Sequence, residues 1–254
     1  MTAAVNSADV ERFKAVFALP LDDATWMPHK TRIAALNELL IGADSALQFI
    51  FADKAVNAEV NMYLAPYKKQ VTTPWTAWQW GPLIDPIRLN LAMPVPSLGP
   101  DIERRANFDD SFFLISILRA FSHEYAHVVN KNKPFQITTT PLGDEFIAHT
   151  IDFCIAFEIT EFTDEQTGAQ LLARGRQFIA DKNTILKGVP FATSTTGQQL
   201  AFTSLSALLV RTDVASRPRT EWTKLLRPYC KMVVDKNPRL ETTQDRLDWI
   251  EKNV

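Results

Sequence analysis

The sequence predicts an α+β, mainly helical fold with one small sheet and a C-terminal helical region. Three observations predict it. Glycine is scarce, 8 in 254 residues, which suits long helices because Gly weakens a helix interior by about 1 kcal/mol relative to Ala. Apolar residues recur at helical spacing through most of the chain. Only residues 70–100 change character, with six Pro, three Trp and strict alternation in Ile87-Arg88-Leu89-Asn90-Leu91.

In chain order, residues 7–18 read as a capped amphipathic helix. Residues 30–56 read as one long or broken helix with Leu36, Leu39, Leu40, Leu47 and Phe51 on its apolar side. Residues 58–66 fit helix or strand equally. The Pro/Trp-rich stretch reads as the sheet: Trp78 and Trp80 share one face of a short strand, and Leu89 and Leu91 share a face of another. Pro82, Pro86, Pro94 and Pro96 suit edge or boundary strands. The tryptophans, with Trp75, suit anchoring of the sheet to helices. Apolar residues dominate 112–121, behind a choice of N-caps in Asp109, Asp110 and Ser111, so a largely buried helix is expected there. Thr140-Pro141 is a helix start, with Thr as N-cap and Pro at the first helical position. That helix runs through Phe146, Ile147, Ile151, Phe153, Ile155 and Phe157. Helices are then expected at about 163–186, 195–212, 220–236 and 242–252, and the loop 213–219 is the best linker candidate. The organisation expected is 1–69 helical, 70–160 a core carrying the chemistry, and 161–254 helical, in one compact unit.

Residues 123–127 read His-Glu-Tyr-Ala-His, the HExxH pattern. On a helix, positions i and i+4 share a face about 5–6 Å apart. Two imidazoles so placed can converge on one Zn²⁺ at about 2.0–2.1 Å. Glu124 is rotated off that face and reaches a metal-bound water, the position of a general base in metal-assisted hydrolysis. On the next helix Glu145, His149 and Asp152 recur at i, i+4 and i+7, which places them on one stripe. That stripe is either the exposed edge of an amphipathic helix or the side that faces the HExxH helix and completes a metal site.

These residues resemble the gluzincin class of zinc metallopeptidases: HExxH followed, on a second helix, by Glu-x-x-Ala, here Glu145 to Ala148. Small enzymes of the ImmA type and the phage-exclusion Lit type are similar in size and in this pattern. The resemblance covers roughly residues 108–157. It implies a zincin-like core with the small sheet beside the active-site helix, and a zinc cofactor held by His123, His127 and Glu145. It also implies Glu124 as base and a protein or peptide substrate, which an edge strand beside the metal would bind by backbone pairing. The class places an Asp or Asn close behind the third ligand to orient an imidazole. Here His149 stands at that place, so His149 donates to a carboxylate, acts as an extra ligand, or leaves the orienting role to Asp152. The metzincin extension is absent, since Asn130 and Lys133 stand where Gly and His would be required. Tyr229, the only Tyr beyond the motif helices, is the candidate for stabilising a developing oxyanion, with Arg211 as a weaker one; packing within a helix is the alternative for Tyr229.

Composition bounds the partners. A net charge of −2 gives no large field to attract nucleic acid or a membrane surface. No secretory start and no membrane-length apolar run are visible. Cys154 and Cys230 read as two isolated core thiols, in keeping with a reducing, cytoplasmic location. Two functions from different classes are therefore expected: a zinc-dependent endopeptidase, or a non-catalytic regulatory or binding protein with a structural or degenerate metal site.

Overall fold

The computed structural model describes residues 15–17, 30–56, 58–65, 76–79, 87–94, 110–131, 137–159, 165–181, 193–213, 217–236 and 242–254. Among them are seven α-helices: α1 (Lys30–Phe51), α2 (Asp110–Lys131), α3 (Pro141–Ile159), α4 (Glu165–Ala180), α5 (Thr193–Arg211), α6 (Arg219–Lys236) and α7 (Thr243–Asn253). A single 3-10 turn, Ala52–Lys54, closes α1, with Ala52 in the left-handed region at φ 49°.

Helix α3 is the hub, packing on α1, α2, α5 and α6. Its sequence explains this: from Phe146 to Phe157 every side chain is buried, and a helix apolar nearly all round must be covered on nearly all sides. Its start follows the expected capping: Thr140 Oγ1 accepts from the Gly143 amide at 3.1 Å. The buried Arg246 of α7 donates to the same Thr140 oxygen at 3.3 Å, with its guanidinium near the Phe146 ring, so the last helix pins the start of α3. Thr242 and Asp245 form the capping box that begins α7.

Two close helix approaches need glycine. A Cβ on Gly197 of α5 would lie 2.7 Å from the Glu145 Cβ and 3.0 Å from the backbone of α3. A Cβ on Gly175 of α4 would collide with the Ser206 carbonyl of α5.

The expected class, an α+β fold whose zincin-like core includes a small sheet, is corrected by this packing. Among the residues whose side chains are described, the buried core belongs to helices and to the short connections at their ends. The strands traced by the backbone are also not the ones expected from residues 70–100 alone. β1 (Ala15–Phe17), β2 (Ala58–Ala65), β3 (Thr76–Gln79) and β4 (Ile87–Pro94) run in the order β1-β2-β4-β3. β1 pairs parallel with β2 (Ala15 opposite Val60), β2 parallel with β4 (Ala58 opposite Ile87), and β3 antiparallel with β4 (Thr76 opposite Ala92). β3 and β4 lie against α2.

The helix expected over 7–18 is likewise corrected where it is described, because Ala15–Phe17 is a strand; residues 7–14 lie outside the described residues. A run of apolar residues this short fits either element, and its partner lies 45 residues on, at Val60. Residues 58–65, ambiguous by pattern, are a strand. The last three C-terminal helices fall within two residues of where their periodicity puts them; α4 begins as expected but ends at Ala180, short of the expected 186, and residues 182–186 lie outside the described residues.

The reading of Cys154 and Cys230 as separate thiols is also corrected. Both are buried, but their sulfurs are joined, tying α3 to α6 across 76 residues. Nothing in the spacing of two cysteines in the sequence shows that they meet. No helix among the described residues is long and apolar enough to cross a membrane.

Candidate metal centre

The HExxH run lies in the second half of α2 and the acid–imidazole stripe runs from the first turns of α3 to just past its middle, and the two helices pack against each other. The stripe therefore faces the motif helix rather than forming an exposed edge. His127 Nε2 lies 3.0 Å from His123 Nε2. Glu145 reaches both: Oε2 is 3.7 Å from His123 Nε2, and Oε1 is 3.8 Å from His127 Nε2. His149 Nε2 is 3.6 Å from Glu145 Oε2. The ligand atoms of His123, Glu145 and His149 all lie within 4.8 Å of one another.

The far side of each ring faces a carboxylate. Asp152 Oδ2 is 3.0 Å from His149 Nδ1 and 3.4 Å from His123 Nδ1. Asp144 Oδ2 is 2.9 Å from His127 Nδ1. The His149–Asp152 contact is an aligned hydrogen bond; those of His123 and His127 are at ion-pair range but off the hydrogen-bond line. The acids are themselves held. Arg119 Nε donates to Asp152 Oδ1 at 3.0 Å, and its guanidinium lies 4.2 Å over the Phe153 ring. Asn130 Nδ2 donates to Asp144 Oδ1 at 2.8 Å, while Asn130 Oδ1 accepts from the Ile137 and Thr138 amides at 2.8 and 2.7 Å.

Charge follows from these contacts. Burial pushes the Asp152 carboxyl up, but Arg119 and the two imidazoles outweigh it and hold Asp152 well below the usual carboxylate range. Burial lowers His123, yet Asp152 first, then Glu124 and Glu145, bring the net shift upward. His149 stays lowered, because burial and the neighbouring His123 outweigh Asp152. Two rings on one carboxylate cannot both be charged cheaply, so the opposite shifts belong to the pair. Burial raises the Glu124 carboxyl, against the pull of His123, His127 and Lys131.

A metal fits this cluster. The His123 and His127 Nε2 atoms share a hydrogen bond, so one of them is an acceptor with its lone pair turned inward. The Glu145 carboxylate stands against the same nitrogens, and a cation among them would compensate its buried charge. Consistent with this, Glu145 Oε2 is buried with no hydrogen-bond partner. Donor atoms 2.0–2.2 Å from a tetrahedral Zn²⁺ stand roughly 3.3–3.5 Å apart, close to the 3.0, 3.7 and 3.8 Å separations of His123, His127 and Glu145. Asp144 and Glu145 keep 20% and 23% of their side-chain exposure against 4% for Asp152, so the cluster opens to solvent on the Glu145 side.

No protein-family model, no curated protein and no solved structure matches the chain.

The structure thus brings together His123, His127, Glu145, His149 and Asp152, and Glu124 stands among their charges. It does not bring Tyr229 to them by any described contact. The Tyr229 side chain is buried between α5 and α6, its hydroxyl bonds Ser204, and burial raises its pKa. Arg211 is exposed and donates to the Glu251 carbonyl at 3.4 Å. Sequence reasoning missed Arg119, Asn130 and Asp144. Arg119 was findable: with His123 and His127 it forms an i, i+4, i+8 stripe inside an apolar run. Asp144 reads in the sequence only as an acid favoured by the helix dipole.

Proposed function

We propose that this chain is a zinc-dependent metallopeptidase in which His123, His127 and Glu145 hold the ion and Glu124 is the general base. The observation that supports it is the convergence of imidazole nitrogens and one carboxylate on a small volume, with an acid behind each ring. Bound zinc supplies Lewis-acid polarisation and brings the pKa of an attacking water near 7. The residues of the chain do the rest. Asp152 and Asp144 stand behind the His123 and His127 rings at ion-pair range, where they would orient the rings toward the ion. Glu124, on the motif helix but off the ligand stripe, accepts the proton of the attacking water and passes it to the leaving amine nitrogen. A protein or peptide substrate approaches from the open side at Glu145.

The test separates base from ligand. Glu124→Gln keeps shape and hydrogen bonding but cannot take a proton, so zinc stays at one equivalent while peptide cleavage falls by at least about 100-fold, in the chemical step. His123→Ala loses the metal itself. Unchanged cleavage in Glu124→Gln would refute the peptidase reading. The proposal includes a cytoplasmic location, and there Cys154 and Cys230 would be held as thiols; alkylation at the moment of lysis counts them.

A second reading, a non-catalytic regulatory protein with a structural metal, is favoured by one observation: His149, which the HExxH pattern does not mark, lies with His123 and Glu145 in the group whose ligand atoms are all within 4.8 Å of one another, and structural zinc sites are closed by four protein ligands.

A further inference from the structure

We propose that His149 is a fourth protein ligand, so that the resting centre is a closed set of three imidazoles and one carboxylate, and a water gains a coordination position only when His149 leaves. This rests on the reading that the cluster holds a metal.

Position is the first argument. His149 stands one turn after Glu145 on α3, its ring centroid 4.3 Å from that of His123 and its Nε2 3.6 Å from Glu145 Oε2. His149 completes the mutually close donor group with His123 and Glu145.

The contact on the other ring nitrogen is the second. His149 Nδ1 makes an aligned hydrogen bond with Asp152 Oδ2 at 3.0 Å, and Asp152 is itself held by Arg119 at 3.0 Å. The ring is thereby fixed with Nε2 turned toward Glu145 Oε2, a buried atom with no hydrogen-bond partner. A cation between Nε2 and Oε2 would bind both.

The third argument is the shared backing. Metal-bound imidazoles almost always place the other ring nitrogen on an acid, a carbonyl or water. Asp152 Oδ2 backs His149 and His123 together. One carboxylate thus orients a ring that the HExxH pattern marks as a ligand and a ring that it does not.

The consequence is regulatory. Zinc sites with three protein ligands keep a position for water, and sites with four are closed. His149 sets which of the two this centre is.

X-ray absorption at the zinc edge of the loaded full-length chain counts the imidazoles directly, with no variant needed. Three imidazoles and one carboxylate oxygen are expected. His149→Ala and the more conservative His149→Gln should each drop the count to two, add a water oxygen and weaken zinc binding at least about tenfold, with helix content unchanged by circular dichroism. In the cobalt-loaded protein, azide should shift the visible spectrum of His149→Ala at concentrations that leave the unmodified chain unchanged. Two imidazoles in the unmodified chain would overturn the proposal and leave the three-ligand site standing. A count unaltered by His149→Gln would do the same. Failure of the unmodified chain to bind zinc would overturn both.

Discussion

Asn130 holds the return from α2 to α3 with one side chain. It accepts two buried amide protons, from Ile137 and Thr138, and donates to the acid behind His127. Asn130→Ala leaves those amides without an acceptor, at about 1–3 kcal/mol for each unsatisfied group, and releases Asp144. Urea unfolding should show a loss of about 2–6 kcal/mol, and zinc titration a fall in affinity of about 10–100-fold. Affinity equal to the unmodified chain would remove Asp144 from the site. Tyr229 tests the opposite case, a packed residue outside the chemistry. Burial raises its pKa above the unfolded value of about 10. The native state therefore keeps the proton where the unfolded chain has lost it. Its contribution is whole below pH 10 and falls as pH rises, by up to about 1.4 kcal/mol per pH unit. Tyr229→Phe should flatten the stability–pH curve above pH 10 and leave zinc binding untouched. At this scale His123, Glu124, His127, Glu145, His149 and Asp152 were legible because polar residues recur at fixed spacing on apolar helices. Asn130 and Asp144 were not, because a helix-end Asn and a first-turn acid have ordinary local explanations, and their partners come together only after the chain returns.

Helix against helix, the glycines at the crossings make a matched pair. Gly197→Ala drives a methyl into Glu145 and the α3 backbone, whereas Gly175→Ala drives one into the Ser206 carbonyl. Overpacking of this kind costs about 1–3 kcal/mol, so both variants should melt at lower temperature. Only Gly197→Ala presses on Glu145, the proposed carboxylate ligand, so only it should weaken zinc binding. Equal zinc affinity in the two would mean that α3 absorbs the strain without shifting Glu145. The helices were legible because a 3.6-residue apolar period over 11 to 22 residues admits few alternatives. β1 was not, since three apolar residues have no period and its pairing is decided 45 residues away. The α+β class failed for a related reason: alternation marks a strand, but which layer supplies the core depends on what packs, and here α3 gathers four other helices around itself.

For the whole molecule, two constraints meet on α3, and they act on opposite sides of the folding equilibrium. The Cys154–Cys230 bond closes 76 residues into a loop and so removes entropy from the unfolded chain, by about 4.5 kcal/mol on the loop-closure estimate and typically about 2–4 in practice. Zinc held at the proposed site would instead stabilise the native state by mass action, by about 2.7 kcal/mol when free metal is 100 times its dissociation constant. The unfolded chain separates His127 from Glu145 by 18 residues, so it offers no formed site, and only what its loose His and Cys side chains bind subtracts from the linkage. Melting the full-length chain in four conditions, oxidised or reduced and with zinc or chelator, should therefore give two downward shifts that add. Reduction should lower stability whether or not zinc is present, and chelation whether or not the bond is closed. Zinc affinity measured on folded protein should be the same in the oxidised and reduced chains, because the packing of α3 against α1, α2, α5 and α6 positions Glu145 without the sulfur link. A Cys154→Ser/Cys230→Ser variant should ignore the reductant and keep the zinc shift. If reduction instead abolished zinc binding in the still-folded chain, the bond and the metal would be one coupled device, and helix packing alone would not hold the ligands in place.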